Sequence, residues 1–191
     1  WVMLDMGPDK NPAKEEQERR VALAAERLST FAKEAAKLGC KVGLYNHGGW
    51  YGEPENQVAI IERLKGQGIT NVGLVYNLHH GHDHVDRLPA LLTLMKPYLL
   101  AVDLNGTDRD GAKLGRKILP LGQGELDLAL LKQIQQSGYK GRIGIIGHTQ
   151  DDAEDRLRDN LDGLDWLLPQ LEGKQAGPKP TPRTPVPPRL A

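Results

Sequence analysis

The chain has 191 residues, 39% hydrophobic and 26% charged, which is enough material for one substantial core. Its 25 basic and 25 acidic residues cancel, so there is no basic excess to make nucleic acid a main partner. No apolar run reaches the ~18–20 residues of a bilayer span, which predicts a soluble chain with no membrane partner, and the single cysteine excludes an internal disulfide or a multi-cysteine zinc motif.

In chain order, short β-type runs alternate with longer helical ones. "WVMLD" (1–5) reads as a strand. Because residue 1 is Trp, the chain is expected to start inside a domain, which leaves the compartment, cytoplasmic or periplasmic, open. Residues 13–38 place Val21, Leu23, Ala24, Leu28, Phe31, Ala35 and Leu38 at helical spacing, with Pro12 ahead of them and Gly39 behind. Cys40 is expected to pack as a small hydrophobe at the entry to the next strand. "KVGLYN" (41–46) is that strand, and Glu53-Pro54 opens a helix to about Lys65. Strands follow at 72–76, 98–104 and 142–147, with helices at 85–95 and 125–137 between them. A last helix carries Leu157, Leu161, Leu164, Trp166 and Leu167.

About five βα units with no hairpin signal predict an α/β fold with a parallel sheet and crossover helices. No GxGxxG or GxxxxGK[ST] follows a strand, which argues against a nucleotide site. Residues 173–191, with six prolines and almost no core formers, read as a disordered or polyproline-type tail, and 1–172 as the folded part.

Ligand sites in parallel α/β folds form at the carboxyl ends of strands. The distinctive polar clusters here all sit there: Asn46, His47, Gly48, Gly49, Trp50 and Tyr51; Asn77 and the run His79, His80, His82, His84; Asp103 and Asn105; His148 and Thr149. His47, His80 and His148 are the best-placed imidazoles, as bases or as ligands of one divalent ion, since imidazole suits zinc, iron or manganese. His82 and His84 are expected to be solvated. Trp50 is a candidate stacking wall for a sugar ring, with burial at a helix interface as the alternative. Lys113, with Arg116 and Lys117, is placed to hold a substrate phosphate or carboxylate, or else lies on a solvated face.

The segments "AKLGCKVGLYNHGG", "VGLVYNLHHGH", "YLLAVDLNG", "ILPLGQGELD" and "SGYKGRIGIIGHT" make the chain resemble the xylose isomerase-like TIM barrels, the sugar phosphate isomerase/epimerase superfamily related to endonuclease IV. The resemblance covers roughly residues 20–150, and "LPLGQGELD…SGYKG" is its most specific part. It implies a (β/α) barrel of TIM type, incomplete here, with about its last five units present and roughly 80–100 residues of a typical ~250-residue barrel outside. It also implies a small carbohydrate substrate, a divalent metal (Zn, Mn, Fe or Mg) and a homo-oligomer. The implied reaction is sugar or keto-sugar isomerisation or epimerisation, the alternatives being a 3-keto-glycoside lyase or hydratase and a non-catalytic carbohydrate-binding barrel. The family's metal is held by Glu, Asp, His and Glu. The first glutamate position falls here at Tyr45 or Asn46, the Asp-x-x-His pair reads Asn77-x-x-His80, and the last glutamate aligns with Ile146. With those carboxylates replaced, His47, His80 and His148 are the candidate bases, Asn46, Asn77, Asn105, Trp50 and Lys113 the candidate substrate contacts, and Asp103 or Glu53 possible assistants.

Overall fold

The computed structural model describes residues 1–184; the end of the proline-rich tail, 185–191, lies outside the described residues. Helices α1 (Lys14–Lys37), α2 (Pro54–Lys65), α3 (Leu88–Met95), α4 (Asp127–Gln136) and α5 (Ala153–Leu171) alternate with strands β1 (Val42–Tyr45), β2 (Val72–Asn77), β3 (Leu99–Leu104) and β4 (Arg142–Ile145). The strands pair in parallel in the order β1-β2-β3-β4. A doubly wound sheet reverses its strand order at a switch point, whereas a barrel adds each strand beside the last. This sheet is therefore a stretch of barrel wall, left open in the described residues. Helix α1 and a single bridge from Val2 to Leu44 represent a fifth unit.

Side chains alternate across a strand, so each strand divides its residues between two faces. Leu44, Leu74, Tyr76, Val102 and Leu104 turn toward the helices and join Leu28, Ile60, Leu64, Leu92 and Leu130 in one core. Tyr45, Val75, Asn77 and Asp103 occupy the opposite, inner face, with Asn77 in register with Asp103 and Asp103 with Gly144.

Several expectations change. The predicted strand 1–5 is reduced to the Val2 bridge. The helix expected from 85 begins as 3₁₀ turns over His82–Arg87 and becomes α-helical only at Leu88, just before Pro89. Phe31 and Leu38 are exposed, because α1 buries the small face Ala24, Ala25, Leu28 and Ala32, which admits the close approach of α2. Cys40 is exposed as well. Its N–H bonds Ala35 O in the turn that ends α1, which keeps it outside the core. Helix α5 leaves Leu157 and Leu161 exposed and buries Arg156, Asp159, Asn160, Gly163 and Leu167. The described part of the tail, 173–184, has no helix or strand, but it is bonded along α5. No helix among the described residues is long and apolar enough to cross a membrane.

The segment "LPLGQGELD" is a structural clasp. The Asp127 carboxylate accepts backbone N–H groups from Thr107 (2.7 Å), Gly122 (2.7 Å) and Gly124 (3.0 Å), closing the long loop after β3 onto the start of α4. Helix α5 packs against this loop through Gly163, where an added Cβ would stand 1.7 Å from the Leu121 carbonyl oxygen. The obstacle is backbone, which cannot swing aside. Gly163→Ala is expected to destabilise the fold by about 2–3 kcal/mol, as overpacking does, read as a lower urea midpoint at unchanged slope.

Candidate functional site at the carboxyl ends of the strands

The site begins with two asparagines. Asn46 donates its side-chain Nδ2–H to the Asn77 carbonyl (3.0 Å), and its Oδ1 accepts the Asn77 N–H (2.8 Å). One amide thus extends the β1–β2 ladder past the end of β1. Asn77 in turn donates to the Tyr45 hydroxyl and accepts the His79 N–H (2.9 Å), which starts a 3₁₀ turn over Leu78–His80. After His47 the backbone turns sharply through Gly48 and Gly49, both at positive φ (64° and 59°), a conformation that costs side-chain-bearing residues energy.

These anchors bring four imidazoles into a row. The ring centroids of His47 and His80 are 4.5 Å apart, those of His80 and His79 4.4 Å, and those of His79 and His148 6.1 Å. Tyr45 meets the His80 ring edge-on at 5.4 Å. Residues from the loops after β1, β2 and β4 therefore share one rim. Burial, reinforced by the Lys117 ammonium and the neighbouring rings, lowers His79 to about 4; burial with His79 and His47 beside it lowers His80 to about 4. Both rings are neutral at pH 7. In register with Asn77, Asp103 is buried on the inner face, its carboxyl raised by burial, and its Oδ2 makes no hydrogen bond among the described residues; nor does His79 Nδ1. A cleft of about 420 Å³ opens next to the row, lined by His47, Gly48, Tyr51, Met3, Asp5 and Pro8 among others.

Other expected residues have different places. Trp50 is fully buried, with its indole N–H donated to Gln17 and its carbonyl accepting Asn56 Nδ2 (2.7 Å), so it packs the α1–α2 interface and presents no stacking wall. Asn105 is buried and holds its own loop, donating to the Gly106 (2.8 Å) and Lys117 (3.2 Å) carbonyls. Lys113 is exposed and paired with Asp110 at 2.8 Å, and Arg116 pairs with Asp108 at 3.1 Å; Lys117 is the basic residue whose charge reaches the imidazoles. His82 donates through Nε2 to the Lys117 carbonyl (2.9 Å) and is half-buried. His84, expected in solvent, is buried between the Tyr76 hydroxyl (3.1 Å) and Glu53 (3.3 Å). Sequence reasoning also undervalued His79. It is the ring that joins His80 to His148, and its adjacency to His80 was the available signal.

The three imidazoles expected as metal ligands do not form a close group of donor atoms. Imidazoles suit such ions in kind, but His47, His80 and His148 do not bring three donor atoms within 4.8 Å of one another. Among the described residues the trio whose donor atoms all lie within 4.8 Å is Glu53, Asp83 and His84. That trio already holds a cation of the chain: Lys10 Nζ lies 2.7 Å from Glu53 and also bonds Asp83, while Arg87 pairs with Glu53 and Glu55. Burial alone would raise Glu53, but hydrogen bonds from His84 and Lys10 outweigh it and hold the carboxyl at about 2. The cluster is an ion-pair network tying the N-terminal segment to α2 and the turn before α3.

An open parallel (β/α) barrel wall with its polar rim at the strands' carboxyl ends defines the class of protein. The chain belongs to the xylose isomerase-like TIM barrel family, whose model matches residues 4–169. Similar solved structures include a xylose isomerase-like TIM barrel/4-hydroxyphenylpyruvate dioxygenase fusion protein (20% identity over 79% of this chain and 25% of that one, TM-score 0.62). A second is the 3-keto-D-glucoside 4-epimerase YcjR from E. coli (20% identity, 87% and 59%, TM-score 0.55). A third is the IOLI protein with a bound zinc atom (15% identity, 85% and 60%, TM-score 0.60). The chain thus spans between a quarter and three-fifths of the length of these proteins. No curated protein matches the sequence significantly.

Rings that are neutral when folded and basic when unfolded make stability depend on pH. Below 6.5, the ordinary imidazole value, the unfolded chain takes up protons that folded His79 and His80 refuse until about 4. Their contribution is therefore complete above 6.5 and lost as pH falls toward 4. Urea midpoints measured across that window are expected to fall with acidity, and less steeply in the double variant His79→Gln/His80→Gln.

Proposed function

We propose that the chain provides the catalytic rim of a sugar or keto-sugar isomerase or epimerase, which moves a proton on and off a carbon next to a carbonyl. The contiguous row of imidazoles, two of them held neutral, carries this reading. A neutral imidazole with a lowered pKa donates its N–H to a carbonyl oxygen without offering its own proton wholesale, and so stabilises an enediolate as it forms. His80, with His79 against it, takes this role. His47 and His148, at the exposed ends of the row, take the proton from carbon and return it to the neighbouring carbon or the opposite face. Asn46 and Asn77 hold the loops in place, and Asp103 supplies a carboxyl on the same inner face. The cleft beside His47 is within the size range of small-molecule sites. The family's fold and the epimerase among its structural relatives support a carbohydrate substrate; no step of this scheme passes through a metal.

A non-catalytic carbohydrate-binding barrel is the second reading, favoured by the replacement of the family's glutamates by Tyr45 or Asn46 and Ile146. The two separate cleanly. Incubation with 3-keto-glucosides in D₂O, followed by NMR, is expected to show deuterium entering beside the carbonyl, slowed about 100-fold in His80→Gln, the usual contribution of one such group. Binding of the sugar without exchange would select the second reading. Elemental analysis with and without a chelator is expected to find no stoichiometric transition metal; one lost in His80→Ala would overturn the metal-free scheme.

A further inference from the structure

The buried stripe of α5 is polar where a core-facing helix is normally apolar. Arg156, Asp159, Asn160 and Gly163 lie on it, followed by Leu167. One side of the stripe meets the loop after β3, where Asn160 Oδ1 accepts the Leu121 N–H at 3.0 Å. The other side meets the tail.

The carbonyl oxygens of Gly177, Pro180 and Arg183 accept hydrogen bonds from Trp166 Nε1 (3.0 Å), Gln123 Nε2 (2.9 Å) and Arg156 Nη2 (2.8 Å). These acceptors are three residues apart, the repeat of a polyproline II helix, and Pro178, Pro180 and Pro182 restrict φ to that region. Between the first two contacts the Lys179 ammonium lies 5.6 Å from the centre of the Trp166 ring. Arg183 closes the row. Its Nη1 bonds Asp159 (2.7 Å) and Asp162 (2.9 Å), and its backbone N–H bonds the same Asp159 oxygen (3.0 Å). Asp159 is buried, with Arg156 on its other oxygen at 2.7 Å. Two aspartates facing Arg156 alone would leave one negative charge over; Arg183 balances it.

We propose that this groove, formed by the Trp166 indole, the Gln123 amide and the Arg156, Asp159 and Asp162 charges, is a recognition site for a proline-rich segment bearing an arginine. Its resident occupant is Gly177–Arg183 of the same chain. The carbonyls of a pre-extended segment supply the affinity at small ordering cost, and the aspartate pair selects the arginine. Arg156 also lines a cavity of about 160 Å³ with Ile146, Gly147 and Thr149, so the docked strap braces the loop that carries His148.

The test is NMR of the indole N–H signals of the whole chain. Arg183→Glu places a third negative charge against Asp159 and Asp162. It is expected to shift the Trp166 signal and speed its solvent exchange about tenfold, one hydrogen bond's net worth. The Trp50 signal, reporting the α1–α2 interface, stays in place, and Lys140→Glu, the same charge change at an exposed position before β4, leaves Trp166 unmoved. A synthetic peptide with the sequence of residues 176–184, at roughly millimolar concentration to match a tethered segment, returns the Trp166 signal of Arg183→Glu toward its original position. An unchanged Trp166 signal in Arg183→Glu, an equal shift in Lys140→Glu, or no response to the peptide would each overturn the proposal. So would a dimer whose Trp166 signal depends on concentration, since the occupant would then belong to a second copy.

Discussion

The amide of Asn46 clasping the backbone of Asn77 is the contact on which the candidate site depends. A side-chain amide presents one donor and one acceptor with nearly the spacing of a peptide group. Placed just beyond the end of β1, it continues the parallel ladder for one more rung. Both loops therefore leave the sheet from a fixed level, and His47 and His80, 33 positions apart in the chain, arrive 4.5 Å from each other. A carboxylate at position 46 could accept the Asn77 N–H but could not donate to its carbonyl.

Crowding follows from that clasp and sets the chemistry. Rings packed against one another, partly withdrawn from water and close to Lys117, resist protonation. An uncharged imidazole offers an N–H to an oxyanion or a lone pair to a proton, according to its tautomer. The network of Glu53, Asp83, Lys10 and Arg87 shows the opposite solution, a buried Glu53 held by partly exposed cations. There each carboxylate has a cation of the chain within ion-pair distance.

The segment that carries most of the resemblance lies apart from the row of imidazoles. "LPLGQGELD" closes a loop through Asp127 and seats α5 on Leu121, which is work of the fold. The rim itself is built from asparagines and histidines, Asn46, His47, Asn77, His79, His80 and His148. A likeness carried by the clasp therefore identifies the barrel wall more firmly than it identifies a reaction.

The alternation of β and α runs and the strand-end position of the polar clusters were legible in the sequence, because they rest on local periodicity and on a rule of parallel sheets. Which face of a helix or loop turns inward was not. Phe31 looked like core and is exposed, since neighbouring alanines let α2 come closer than an aromatic ring would allow. His84 looked accessible and is buried, and Trp50, legible either as a stacking wall or as interface packing, is the latter, because Tyr76 from β2 and Gln17 from α1 reach them across the fold. The tail's composition announced an extended segment, but only the polar stripe of α5 gave it somewhere to lie. Periodicity is a property of neighbours along the chain. Burial, pairing and lowered pKa values are set by residues tens of positions away, and only the folded structure brings these together.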